Sequence, residues 1–125
     1  MSTPQEPTPL APAVRRFKDA NYKKRAPNLQ ALRDQIDALD SQIVALMAER
    51  ALCVRDATRF KKDAFQVASP ARQAQVFQKV RNLASEHSAN FPGFEDIVES
   101  AYRSMVAGFI AAEQELFAQT EEVKS

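Results

Sequence analysis

Glycine is scarce in this chain, with two in 125 residues, and β-branched runs are few. A sheet protein needs many glycine-bearing turns between β-branched strands, so both shortages argue against one. Cysteine is nearly absent too. Cys53 has no partner in the chain, which removes an internal disulfide and a cysteine-based metal site and fits a reducing compartment. No stretch approaches the ~20 apolar residues of a membrane span, and the N-terminus lacks the apolar core of a secretory signal. The expectation is a soluble, cytoplasmic chain with no membrane partner. Charge of one sign is also missing: 17 basic against 16 acidic residues leave a net charge of +1, so any use of charge has to be local.

What is present is helical. Ala, Gln, Glu, Leu and Arg are abundant, and the length suits one domain. Residues 1–27 hold five of the seven prolines and a basic patch of Arg15, Arg16, Lys18, Lys23, Lys24 and Arg25. They read as a flexible arm, with a short helix around Ala13–Tyr22 as an option. Phe17 and Tyr22 are its only aromatics and no nucleic-acid motif accompanies them, so a nucleic-acid partner is not expected.

Residues 28–120 form the expected helical domain, followed by a tail over 121–125. Asn28 suits an N-cap. After it Leu29, Leu32, Ile36, Leu39, Ile43, Leu46, Cys53, Ala57 and Phe60 alternate steps of three and four, with one vacancy, at Arg50. A helix to about Lys62 would hold some 35 residues and reach about 50 Å, too long for a compact domain of this size. Its apolar stripe therefore asks for a partner, most simply a second copy. Ser69-Pro70 marks a second helix to about Glu86, with Val76, Phe77, Val80, Leu83 and Ala84 inward. The segment between, Asp63 to Ser69, shows no helical period and reads as a loop or lid. Ser88 to Gly93 breaks the second helix. A third then runs from about Phe94 to Thr120, with Phe94, Ile97, Val98, Ala101, Met105, Gly108, Phe109, Ala112 and Leu116 at helical spacing.

Arg50 on an apolar face asks for an anion, because a buried guanidinium is very unfavourable alone. Lys61, 11 residues on, returns to nearly the same helical face about 16 Å away, with small Ala57 between them. Both side chains could close over one anion. The plainer reading pairs Arg50 with a carboxylate of another helix and leaves Lys61 as surface charge. Arg72 stands in the first turn of the second helix, where the dipole disfavours a cation, although a solvent-facing arginine would also fit. Gln114 lies beside the apolar stripe of the third helix and could equally be exposed. His87, at a helix C-terminus, reads as a dipole partner rather than a base. No nucleophile–base pair, phosphate loop or ligand cluster appears, so no metal or other cofactor is expected.

The run Leu32-Arg33-x2-Ile36-x2-Leu39-Asp40-x2-Ile43-x2-Leu46-x2-Glu49-Arg50, then Phe60-Lys61, then Ser69-Pro70-x-Arg72-Gln73, resembles the all-helical, AroQ-type chorismate mutases. It is also similar to their relatives, the isochorismate-pyruvate lyases. The resemblance spans roughly residues 29–119. It implies an all-α fold of three helices per chain, the first one long, intertwined in a homodimer. It further implies the Claisen-type rearrangement of chorismate to prephenate, on the route to phenylalanine and tyrosine, with no cofactor. Arg33 would be donated to the other subunit's site. By the same resemblance Arg33 and Arg50 would hold the substrate carboxylates, Lys61 and Gln114 the ether oxygen, Arg72 would add positive charge and Ser69 would face the ring hydroxyl. Gln73 stands where mutases commonly carry a glutamate, and Ile110 where they are often polar. These two departures keep isochorismate-pyruvate lyase open as a second activity on the same scaffold. A non-catalytic helical dimerisation module is the third reading.

Overall fold

The computed structural model describes residues 3–87 and 90–123. Ser88 and Ala89, the start of the expected connection, lie outside the described residues, as do Met1, Ser2, Lys124 and Ser125 at the two ends. Among the described residues every regular element is helical: α1 (Leu29–Ala57), a 3₁₀ turn (Thr58–Phe60), α2 (Ala64–Ala68), α3 (Pro70–His87) and α4 (Phe94–Ala118). No described helix is long and apolar enough to cross a membrane.

Residues 1–48 and 49–125 form two compact units. In the first, Asn28 caps α1 as expected, its Oδ1 accepting from Ala31 N at 2.9 Å. The segment before it makes turns and bends but no helix, so the optional helix around Ala13–Tyr22 is absent. Pro9 O accepts from Gln30 N at 3.1 Å and Arg25 O from the Gln35 amide at 3.0 Å, which ties the arm to the first turns of α1. Phe17 and Tyr22 stack with their ring centres 4.7 Å apart. No residue of α1 is buried, and Ile36, Leu39, Ile43 and Leu46 are each about half exposed or more, for example Ile43 at 53%.

The second unit holds the core: Val67, Phe77, Val80, Ala84 and Val106. Helices α3 and α4 make its main packing contact, and α4 also meets α2 and the 3₁₀ turn. A charged clamp crosses the α3–α4 seam. Arg81 of α3 donates to Asp96 and, at 2.8 Å, to Glu99, while Arg103 donates to the other oxygen of Glu99 at 2.9 Å. Arg103 also lies over the Phe77 ring at 4.4 Å. The Arg81 hydrogen bond first, and that of Arg103 next, hold the Glu99 carboxyl below the usual carboxylate range, and Arg81 is raised in turn.

Two sequence expectations change here. Helix α1 ends at Ala57, not near Lys62, because Thr58 Oγ1 turns back onto Val54 O at 3.1 Å, the chain tightens into a 3₁₀ turn, and Lys61 is extended (φ −103°, ψ 137°). The segment expected as a loop or lid carries α2. Asp63 is its N-cap, accepting from Gln66 N at 2.9 Å, and the Gln66 side chain reaches back to Lys62 N at 2.9 Å, a reciprocal arrangement that stabilises one short turn.

Candidate active site

The local chain path after α1 creates the site. An uninterrupted helix would carry Lys61 along a straight cylinder; the 3₁₀ turn and the extended Lys61 instead fold the chain back so that α2 lies under α4. The result is a cavity of about 330 Å³, walled by Arg50, Cys53, Val54 and Ala57 of α1, by Lys61, and by Val67 and Ala68. Ser69, Arg72, Gln73 and Val76 continue the wall, and Val106, Phe109, Ile110 and Glu113 of α4 close it. Three cations and one carboxyl share this mainly apolar hollow, a size and composition suited to one small anionic ligand.

Arg50 belongs to none of the ion pairs formed by the described residues. Two aromatic rings of α4 hold it instead: its Cζ lies 5.4 Å from the Phe109 ring centre and 6.0 Å from that of Tyr102. Such contacts are worth roughly 0.5–2 kcal/mol and use the guanidinium face, so its N–H edge stays available to an anion. The alternative of an Arg50–carboxylate pair with another helix is therefore not what the described residues form.

Lys61 is partly covered. Its Nζ lies 3.5 Å from both Ser69 Oγ and Glu113 Oε2. Ser69 sits between α2 and α3 in the left-handed region (φ 46°). Its carbonyl accepts from Gln73 N at 3.0 Å, but its hydroxyl donates back to Gln66 O and does not cap α3. Gln73 donates through Nε2 to Ala68 O at 2.6 Å, which leaves its Oε1 as an acceptor. Arg72 is exposed at the cavity edge, its nearest polar partner being Gln75 at 3.5 Å.

The third helix holds the main difference from the sequence reading. Gln114 is not part of the cavity wall; its amide donates to Ala64 O at 3.0 Å and pins α2 to α4. The polar group that faces the cavity from α4 is Glu113, only 4% exposed. Its Oε2 accepts from Thr58 Oγ1 at 3.2 Å as well as from Lys61. Sequence reasoning missed both Glu113 and Thr58. The available signal was spacing: Val106, Phe109, Ile110 and Glu113 follow the i, i+3, i+4, i+7 pattern of one helical face. Arg33 lies in the other unit, exposed on α1. The structure thus brings Arg50, Lys61, Ser69, Arg72 and Gln73 together in one cavity, without Gln114.

Among the described residues no group of His, Cys, Asp or Glu is arranged to hold a metal ion. Fixed cations around an apolar hollow, with one carboxyl and no nucleophile–base pair, can bind and shape a polyanion and stabilise charge growing on it.

Comparison with known proteins agrees with this chemistry. No curated protein matches the chain closely enough to be counted. The family model for chorismate mutase type II matches residues 32–114, more than half of the chain and the whole of the cavity wall. By that match, and by its all-helical architecture, the chain belongs to the chorismate mutase type II family and is an enzyme of that class.

Proposed function

We propose that this cavity is where chorismate rearranges to prephenate, and that Arg50, Lys61, Arg72 and Glu113 carry the reaction. The observation behind this reading is that Arg50, in none of the ion pairs of the described residues, lines the same hollow as the Lys61–Glu113 pair. A Claisen-type rearrangement needs no nucleophile. It needs a flexible dianion folded into its compact, near-attack shape, and it needs the ether oxygen stabilised as its C–O bond stretches. In this reading Arg50 holds one carboxylate and Arg72 adds positive charge at the rim. Arg33 of a second copy holds the other carboxylate. Lys61 meets the ether oxygen, and Glu113, which accepts from Lys61, takes the place beside it that the resemblance gave to Gln114. Gln73 Oε1 and Ser69 receive the ring hydroxyl.

Glu113 Oε2 accepts from both Thr58 and Lys61, which fixes the Lys61 ammonium at the cavity wall. A fixed ammonium there stabilises the charge that grows on the ether oxygen more than it stabilises the ground state.

The test is direct. Purified protein is incubated with chorismate and, separately, with isochorismate, and prephenate is quantified against salicylate and pyruvate. Prephenate formation is expected, placing the enzyme in the synthesis of phenylalanine and tyrosine. Salicylate with no prephenate would assign lyase chemistry to the same cavity, and no turnover of either would remove the reading. Lys61→Ala is expected to lower kcat about 10³-fold without loss of helicity.

A further inference from the structure

Thr58 is not in the wall of the catalytic cavity. It lies in the wall of a second hollow, of about 350 Å³, between the end of α1 and the C-terminal end of α4. The two hollows share no residue. The volume falls at the lower end of small-molecule sites, roughly 300–1,000 Å³.

The charges of this hollow decide what it can hold. Arg59 spans both oxygens of Asp56, Nε at 2.9 Å and Nη2 at 3.3 Å, so that pair neutralises itself. Arg55 belongs to none of the ion pairs formed by the described residues, and it leaves one uncompensated positive charge in the wall. Leu52 and Leu116 supply apolar surface, and Leu52 is 65% exposed. One free guanidinium beside two leucines suits a single carboxylate on an apolar body. The guanidinium meets the carboxylate with paired N–H bonds, and the body covers the leucines. A dianion such as the substrate fits poorly, because its second carboxylate would meet only the neutralised pair.

The hollow reaches the chemistry through Thr58. That side chain is 3% exposed, and its hydroxyl has a single hydrogen and two acceptors: Val54 O at 3.1 Å and Glu113 Oε2 at 3.2 Å. It therefore has two discrete arrangements. Lys61 Nζ donates to the same Oε2 at 3.5 Å, so the choice made by Thr58 is felt by Lys61. A body packed against Thr58 moves it together with the end of α1, which carries Val54 along. The bond that such a shift strains is the one to α4, at Glu113.

We propose that this hollow binds an apolar monocarboxylate through Arg55, and that the bound ligand slows turnover by turning the Thr58 hydroxyl from Glu113 to Val54 O. Glu113 then holds Lys61 alone and competes for it with the ether oxygen. The effect on turnover rests on the reading of Lys61 as the group that meets that oxygen; the binding does not.

The probes are 3-phenylpropanoate and its neutral counterpart 3-phenylpropan-1-ol, titrated calorimetrically into the whole protein, with chorismate turnover followed in parallel. The acid is expected to bind at least about tenfold more tightly than the alcohol. At saturation it should lower kcat roughly fivefold with KM changed less than about twofold. Arg55→Gln should weaken binding about tenfold and leave turnover without ligand unchanged. Thr58→Val, of the same shape without the hydroxyl, should bind the acid as the wild type does while its turnover no longer responds. Inhibition that raises KM and survives Arg55→Gln would seat the acid among the catalytic cations and overturn the proposal. So would the absence of binding, or binding through Arg55 that leaves kcat unaltered. If Thr58→Val loses its helicity, the Arg55→Gln comparison still decides. A wild-type protein that turns over no chorismate would remove the parent reading, and calorimetry would then judge the hollow by itself.

Discussion

Glu113 weighs on the site through its charge. Beside Arg50, Lys61 and Arg72 it lowers the net positive charge of the cavity, which weakens binding of a dianion. Glu113→Gln removes that charge and puts an amide donor in its place. In steady-state kinetics with chorismate the variant is expected to show a KM lower by about threefold with kcat kept or raised, and an unchanged or higher KM would show that the carboxylate does not oppose binding. The same residue marks a limit of sequence reading. The apolar stripe of α4 was traced through Met105, Phe109, Ala112 and Leu116, of which none is fully buried, while the buried positions are Val106 and Glu113. A search for apolar residues passes over a carboxylate on the inner face, because nothing in the pattern says that Thr58 and Lys61 will be there to receive it. Gln114, one position on, had the expected chemistry and the wrong direction, and it serves as a brace to Ala64 O.

Elements were easier to read than residues. The bounds of α3 and α4 lie within two residues of those given by periodicity, Pro70 and the Gly93 turn. Gly93 supports its turn at φ 70°, a conformation that a side chain would strain. The failures are both local hydrogen-bond events. Thr58 back-bonding ended α1 early, and Asp63 with Gln66 made a helix turn where apolar periodicity is too short to register. A search for capping residues three apart would have found the second. The early end of α1 matters to the site, because Lys61 reaches the cavity from extended chain and not from the helical face on which the sequence placed it.

The α3–α4 clamp ties stability to pH. The carboxyl of Glu99 is lowered in the folded protein, by Arg81 first and Arg103 second, so its ionised form is favoured by folding. A group lowered in this way stabilises the fold above its ordinary value, about 4.3 for glutamate, and the contribution disappears as pH falls through the lowered value. Acidification across that window should lower the melting temperature of the wild type. Glu99→Gln should melt lower near neutral pH and lose part of the acid dependence, as followed by the circular dichroism of the helices. Equal acid sensitivity in both proteins would mean that the clamp contributes nothing beyond screened surface charge.

At the scale of the whole molecule the unfinished feature is α1. It has no buried residue, and the side chains at Ile36, Leu39, Ile43 and Leu46 repeat at the interval of a helix seam. We propose that a second copy covers this stripe and that Arg33, on the same helix, enters the partner's cavity to meet the carboxylate that Arg50 leaves free. The arrangement has a genetic signature. Arg33→Ala and Lys61→Ala should each be inactive as homodimers. In a mixed dimer, the Arg33→Ala chain keeps its own Arg50 and Lys61 and receives an intact Arg33 from its Lys61→Ala partner, so one of the two sites is whole. Equal amounts of the two variants, unfolded and refolded together, give mixed dimers in half of the population with one working site in each. The mixture should thus recover roughly a quarter of wild-type turnover. An Arg33 that served its own chain would put one defect in each site of the mixed dimer, and the refolded mixture would remain as inactive as its parents.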